Sequence, residues 1–367
     1  MTTLYPHLLN AFLLSIMLIL VLRRLAPQFR LVDAPDARKQ HEGLVPLCGG
    51  LAIFSAFMIT GIGFDEAIRV PWNVETGLVL LVLIGLADDR WRLSATTRLG
   101  AHLVAATILV APAAVAPFNL GAVSSDIVWL LPPLAGGLLA VVFTTGMINA
   151  FNMIDGMDGL AGASAGAAFF WFALLSVHVG DAVLAVQALT LLAAVLGFLV
   201  FNMRHRWRSR ASVFLGDAGS IMLGAMAAHF AVVLASGSHP LSFVALLWFL
   251  IVPIADTLSL IVRRLAARRS PFSGDRQHMH HLLVDAGMSH VAAASVLIAA
   301  AWFFGAVGYV GIIAGVPDTV MAAGLIVPLV LHTVIVVATG GGSGVRARRS
   351  ATGGLGWTVP SIPGDER

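Results

Sequence analysis

Four stretches of this sequence set acids, amides and imidazoles against apolar runs, where an ionisable side chain is costly and marks function by default. Asp88 and Asp89 end one such run. In Asn149-Ala-Phe-Asn-Met-Ile-Asp-Gly-Met-Asp-Gly159, the spacing lets Asn149, Asn152, Asp155 and Asp158 share one side of a helical or turn segment. Gly156 and Gly159 there permit close backbone approach. Asp217 stands in Phe214-Leu-Gly-Asp-Ala-Gly-Ser220 at a helix start, where free backbone N–H groups also meet phosphate oxygens. His278, His280 and His281 close the run Asp275-Arg-Gln-His-Met-His-His281, beside Arg276.

Each stretch has a plainer reading. Asp88-Asp89 reads also as a solvated helix end, although adjacent acids repel and a cation or phosphate-bound metal would relieve them. A calcium loop rivals the Asn149 block, but the alternating ligand spacing and closing Glu are missing. The histidines invite zinc, yet no thiolate cluster accompanies them, and the neighbouring arginines would repel a cation while attracting phosphate. Asp256 lies two helical turns before Arg263 on one face, as suits a structural pair as well as a catalytic one. His102, His229 and His332 are isolated and read as ordinary helix residues.

The elements that must carry these residues are membrane helices. Of 367 residues, 58% are apolar and 11% charged, against roughly 25% charged in soluble domains. A spanning helix takes about 20 apolar residues. Spans are expected near 8–25, 47–64, 74–87, 98–117, 128–148, 159–178, 181–201, 213–236, 241–262, 291–313 and 317–339. The fold class is therefore an all-α polytopic membrane protein of about eleven helices, with a membrane domain over 1–339 and a disordered cytoplasmic tail over 340–367. Leu8 to Leu25 lacks a basic segment before it and a small-residue cleavage site after it, so it reads as a retained helix. With the N-terminus outside and the C-terminus inside, every one of the 22 lysines and arginines except Arg69 falls on the cytoplasmic side. The net charge of +3 thus reflects orientation rather than nucleic-acid binding. Cys48 is the sole cysteine, so no intrachain disulfide forms.

On this topology all four stretches face the cytoplasm. Metal-holding acids and amides, phosphate-seeking arginines and histidines, and a lipid boundary together point to phosphoryl transfer from a soluble donor to a membrane-bound acceptor. Mg²⁺ is the natural ion for a diphosphate held by one or two carboxylates, with Mn²⁺ as its substitute. A proton-coupled transporter is the rival from another class, but it should carry its acids near the bilayer midplane. A structural scaffold leaves the costly acids unexplained.

Taken jointly, the blocks identify a resemblance. Val32-Asp-Ala-Pro-Asp-Ala-Arg-Lys-Gln-His41 running to Pro46 and Gly49-Gly50, then Gly85-Leu-Ala-Asp-Asp89, Asn149 to Gly159, Gly216-Asp-Ala-Gly-Ser220 and Asp275 to His281 occur in order over roughly residues 30–290. This set resembles the polyprenyl-phosphate N-acetylhexosamine-1-phosphate transferases, and most of all the bacterial branch that moves GlcNAc-1-phosphate from UDP-GlcNAc to undecaprenyl phosphate. That branch starts O-antigen, common-antigen or related envelope glycans at the inner membrane. The peptidoglycan branch, which uses UDP-MurNAc-pentapeptide, has three consecutive histidines where this chain has Met279 within the block. The resemblance implies Asp217 and Asn152 as metal or diphosphate partners. It places Asp155 and Asp158 near the nucleotide, with Asn149 in the same block, and Phe214 near the uracil. Asp88 would activate the acceptor phosphate, supported by Asp89. Arg276, His278, His280 and His281 would hold the diphosphate and sugar-phosphate, and Arg38, Lys39 and His41 would border the lipid-phosphate entrance. Another hexosamine donor stays open, as does a homodimer.

Overall fold

In the computed structural model, which describes residues 4–33, 43–64, 69–112, 115–124, 127–204, 208–236, 241–268 and 278–352, the chain is mostly helical. Helix α1 (Leu4–Leu25) leads to two short antiparallel strands, β1 (Val32–Asp33) and β2 (Val45–Pro46), with Val32 opposite Pro46. Then come α2 (Gly49–Phe64), α3 (Trp72–Trp91) and α4 (Ala95–Val110). A hairpin of β3 (Phe118–Ser124) and β4 (Ile127–Leu131) precedes α5 (Pro133–Ile154), α6 (Leu160–His178), α7 (Ala182–Asn202) and α8 (Gly216–Ser236). Helix α9 (Phe243–Leu246) passes through a 3-10 turn at Leu247–Leu250 into α10 (Ile251–Ala266). The order closes with α11 (Met279–Asp285), α12 (His290–Ile313), α13 (Asp318–Gly324) and α14 (Ile326–Thr352).

Eight helical segments among the described residues are long and apolar enough to cross a bilayer. Gly49–Gly61 and Ala95–Val110 are apolar but shorter, and α3 carries Glu75, Asp88, Asp89 and Arg90. The polytopic helical architecture stands, with corrections to particular segments. Residues 128–131, expected to open a span, are strand. Pro132 and Pro133 follow directly, and a residue before proline is pushed out of the helical region, so the helix starts only at Pro133. The backbone also stays helical through Thr352, past the boundary drawn at Gly340. The breaks inside the last spans have the same kind of cause. Pro253 cannot donate to the carbonyl of Phe249, and the 3-10 turn lies there. Pro328 cannot donate to the carbonyl of Gly324, where α13 stops.

Helix α8 is the axis of the bundle, buried along almost its whole length and packed by α2, α3, α5 and α6. Its residues are small, including Ala218, Gly219, Gly224, Ala225, Ala227 and Ala228, so neighbouring backbones come close without a lipid-exposed gap. At its N-terminal end the approach is backbone to backbone. A Cβ on Gly50 would overlap Gly219, and one on Gly85 would overlap Ala218. At mid-height an edge-to-face cluster takes over, with Phe169 and Phe230 centroids 5.8 Å apart and Phe172 and Phe249 5.1 Å apart. At the far end the hairpin is tied down by Asp318, whose Oδ2 accepts from the Ala122 N–H at 2.6 Å.

The contact between α3 and α8 makes a prediction. Gly85→Val forces two backbones apart, at a cost of about 1–3 kcal/mol or more, and should lower the thermal midpoint of the detergent-solubilised protein sharply. Gly100→Ala is the control, because a Cβ there meets nothing within 4 Å. Equal midpoints for the two variants would contradict the packing described.

Candidate functional site

Three helix ends meet where α8 begins. Helix α3 stops at Arg92, whose left-handed φ of 52° turns the chain while its N–H donates to the Asp88 carbonyl. Ser94 then caps α4 by accepting from the Thr97 N–H at 3.1 Å. This tight turn fixes Asp88, which is buried and has both carboxylate oxygens engaged. Oδ1 accepts from the Leu93 N–H at 2.7 Å, and Oδ2 accepts from Arg98 at 2.9 Å. Arg98 is 36% exposed, so its guanidinium reaches from a buried acid toward the surface.

Asp89, one residue on, faces the other way. Its Oδ1 accepts the backbone N–H of Asp217 at 3.0 Å, so an acid from α3 caps the start of α8. Its Oδ2 is buried with no hydrogen-bond partner, and a Cβ on Gly216, which has φ +74°, would press against that oxygen. The charge of Asp33, on β1, also reaches Asp89. Asp217 in turn lies within range of the charges of Asp88 and Asp89. Its Oδ1 accepts from Asn152 at 2.6 Å, and the same amide bonds Ser220 Oγ at 3.1 Å. Asn152, Asp217 and Ser220 thus form one network across α5 and α8.

The turn after α5 brings the remaining acids. Asp155 caps the C-terminal end of α5. Burial first, and then the charges of Asp89 and Asp158, push its carboxyl up to about 8. Asp158 is held by Arg204 at 2.6 Å and by the Ala211 N–H at 3.1 Å. Gly159, at φ +82°, donates its N–H to Asn202 Oδ1 at 2.7 Å, while the Asn202 amide donates to the Val213 carbonyl at 2.9 Å. Asn149 turns its amide back onto the Thr145 carbonyl of its own helix at 2.7 Å. Phe214 is half-buried and stitched by its backbone to Pro46 and Gly49, which joins the β2 segment to the start of α8.

The histidine block opens α11. His280 packs so closely on the α5–α6 turn that a Cβ at Gly156 would overlap its ring. His281 lies 4.2 Å from His280, centroid to centroid, and His278 stacks on His280 at 5.7 Å. Asp88, Asp89, Asn152, Asp155, Asp158, Asp217 and the three histidines therefore occupy one end of the bundle. Arg38, Lys39, His41 and Arg276 lie outside the described residues. Asp256 does not pair with Arg263 as its spacing proposed; its oxygens go to His278, the Met279 N–H and His332. His332 is accordingly no isolated helix residue. Arg98, Arg204, Asn202 and Asp33 are not among the candidate side chains of the sequence analysis; Asn202 carries a local signal as an amide at the end of an apolar run, and Asp33 stands in the Val32–His41 block.

The set fits a divalent ion. Several acids crowd together, and Asp89 offers a buried oxygen with no partner. Among the described residues no group of three or more His, Cys, Asp or Glu side chains is placed to hold a metal ion, so an ion there would be held by one or two carboxylates and would need water and phosphate oxygens to complete its shell.

The chain is similar in sequence to known proteins. The family model described as glycosyl transferase family 4 matches residues 72–235. The undecaprenyl-phosphate alpha-N-acetylglucosaminyl 1-phosphate transferase of Yersinia pestis is 32% identical over 336 residues, covering 90% of each chain. Its counterpart in Escherichia coli (strain K12) is 32% identical over 312 residues, covering 83% of each. The decaprenyl-phosphate N-acetylglucosaminephosphotransferase of Mycolicibacterium smegmatis is 32% identical over 349 residues, covering 84% of this chain and 82% of the relative.

The raised Asp155 carboxyl predicts a pH dependence. A folded-state value near 8, above the ordinary carboxylate range, means that the native protein holds a proton the unfolded chain releases. The contribution of Asp155 to ligand-free stability should be full at low pH and be lost as pH rises through about 8. Thermal midpoints of Asp155→Asn in detergent should decline less over pH 5 to 9 than those of the parent; parallel curves would contradict the burial.

Proposed function

The chain belongs to glycosyl transferase family 4, the polyprenyl-phosphate sugar-1-phosphate transferases, and from that premise we propose that it moves GlcNAc-1-phosphate from UDP-GlcNAc to undecaprenyl phosphate. That it is a membrane phosphotransferase follows from the family. The donor assignment is supported by the names of its relatives and by Met279 within the histidine block. The observation that carries the chemistry is the junction at the start of α8, where Asp89, Asn152 and Asp217 lie in one hydrogen-bonded set beside Asp88. These acids stand at helix ends rather than mid-helix, which favours the enzyme over a proton-coupled transporter. The distribution of arginines supports eleven spans, N-terminus outside, with this junction on the cytoplasmic face of the bacterial inner membrane. There the reaction opens synthesis of O-antigen or a related envelope glycan.

In the proposed reaction an oxygen of the lipid phosphate attacks the phosphorus that carries the sugar. The bond from that phosphorus to the UMP oxygen breaks, and UMP leaves with the electron pair. Asp217 and Asn152 are assigned to a Mg²⁺ ion, with the unpartnered oxygen of Asp89 beside them. When bound, that ion neutralises charge on the donor diphosphate. Asp155 and Asp158 border the nucleotide, and Phe214 the uracil. The histidines hold the sugar-phosphate. Asp88 takes the remaining proton of the lipid phosphate, and Arg98, already on Asp88 and partly exposed, draws that phosphate in.

Purified protein given UDP-GlcNAc and undecaprenyl phosphate should release UMP. Release of UDP instead would mean cleavage on the sugar side of the anomeric oxygen and would sink the proposal. Excess chelator should abolish turnover, and Asp217→Asn should lose most of it, roughly 100-fold or more, while staying monodisperse. Full activity in either condition overturns the metal assignment.

A single displacement is expected, because the acids next to Asp88 make a covalent phosphoryl-aspartate electrostatically awkward. Labelled UMP should therefore not exchange into UDP-GlcNAc until lipid acceptor is added. Rapid acceptor-free exchange, abolished by Asp88→Asn, would support a covalent intermediate instead.

A further inference from the structure

Asp256 lies within α10, 3% exposed, and no step proposed above uses it. Both of its carboxylate oxygens are committed. Oδ2 is 2.9 Å from His278 Nδ1, and Oδ1 accepts the Met279 N–H at 2.8 Å. His332 Nε2 reaches the same Oδ1 at 3.4 Å from α14. His278 is the residue before α11 and offers no side-chain cap to it. Asp256 supplies that cap from another helix. One buried carboxylate therefore fixes three things: the start of α11, the ring of His278 and the position of α14. A small cavity lined by Asp256, Met279, His280 and His332 adjoins this cluster and extends to Ile154, at the end of α5.

We infer that Asp256 and His332 are positioning residues for the transfer reaction, acting through His278. The inference rests on the transferase reading above. The chemistry follows from the ring. A carboxylate accepts, so the Nδ1 of His278 carries its hydrogen toward Asp256, and Nε2 is the nitrogen left for an anionic partner. An Nε2–H, where the ring carries one, is thereby aimed at phosphate, with the negative charge of Asp256 behind it. His332 donates to the shared oxygen and keeps the carboxylate from turning away. Without this clamp the imidazole can adopt either tautomer and swing, whereas the Asn of Asp256→Asn keeps an oxygen for the Met279 N–H, so the cap of α11 is retained.

The test uses the full-length enzyme in detergent, with UDP-GlcNAc, undecaprenyl phosphate and Mg²⁺, reading UMP release. Asp256→Asn should lower kcat roughly 10- to 100-fold, the range for losing a partner that orients a functional histidine. The KM for UDP-GlcNAc should stay within about twofold of the parent, because donor binding is shared among many groups. In the His278→Ala background the same substitution should have little further effect, within about threefold, since its route to the reaction is already gone. His332→Gln, which keeps a donor at the Nε2 position, should retain most of the activity that His332→Leu loses. Multiplicative losses in the double variant overturn the assignment, and so does equal activity of the two His332 variants. If Asp256→Asn fails to fold, the His332 pair alone decides. A parent enzyme that forms no UMP overturns the transferase reading and this inference with it. A parent that forms UMP while the variants behave independently overturns the inference alone.

Discussion

The hydrogen bond from the Asp217 N–H to the Asp89 carboxylate is the contact on which the rest of the site depends. A helix N-terminus has free donors and a partial positive charge, and it tolerates an acid that a bilayer otherwise expels. Asp89 reaches it only because Gly85, one turn earlier on α3, lets that helix touch Ala218. Gly50 does the same from α2 against Gly219. Three backbones converge on the first turn of α8, and the side chains able to do chemistry are those on its rim. The arrangement gathers like charges at close range, which α8 alone cannot balance. Arg98 and Arg204 balance Asp88 and Asp158 from the outer side. Among the described residues, the inner acids Asp89, Asp155 and Asp217 form no ion pair with such a cation.

The same device occurs twice. Asp89 caps α8 from α3, and Asp256 caps α11 from α10. In each case a carboxylate in one helix fixes the start of another. The first cap leads through Asp217 to Asn152 in the last turn of α5, and the second brings His280 onto Gly156 just beyond it. Polar groups inside a membrane protein must be satisfied internally. Here that requirement and the requirement for fixed functional groups are met by the same bonds.

Much of this was readable from residue order. Apolar length located the helices, and the positions of Asp88, Asp155, Asp158 and Asp217 at the ends of apolar runs were visible because charge is so rare in this chain. Local rules also recover the breaks, once Pro132, Pro253 and Pro328 are read as missing donors. The hairpin at 118–131 was missed because Ile127–Leu131 is as apolar as a helix, and hydropathy does not distinguish the two. Long-range partners were missed for a different reason. Arg98 and Arg204 are two members of a large set of cations clustered between apolar runs, and nothing local distinguishes a cation that pairs from one that meets water. His332 is separated from Asp256 by 76 positions, and Asp256 has a nearer and plausible partner in Arg263 along its own helix. Spacing within an element cannot see across elements.

The bond between Ala122 and Asp318 joins positions 196 apart in the chain. During synthesis the N-terminal part of a chain emerges and folds first, so α3, α5 and α8 are in the membrane long before Asp318 is made. The acids of the junction can then assemble early, while α11 and α14, which carry the histidine arm, arrive among the last segments. A nascent chain stopped after α8 would hold the crowded carboxylates without the imidazoles that face them. The two sides of the junction therefore come together only when the polypeptide is nearly complete.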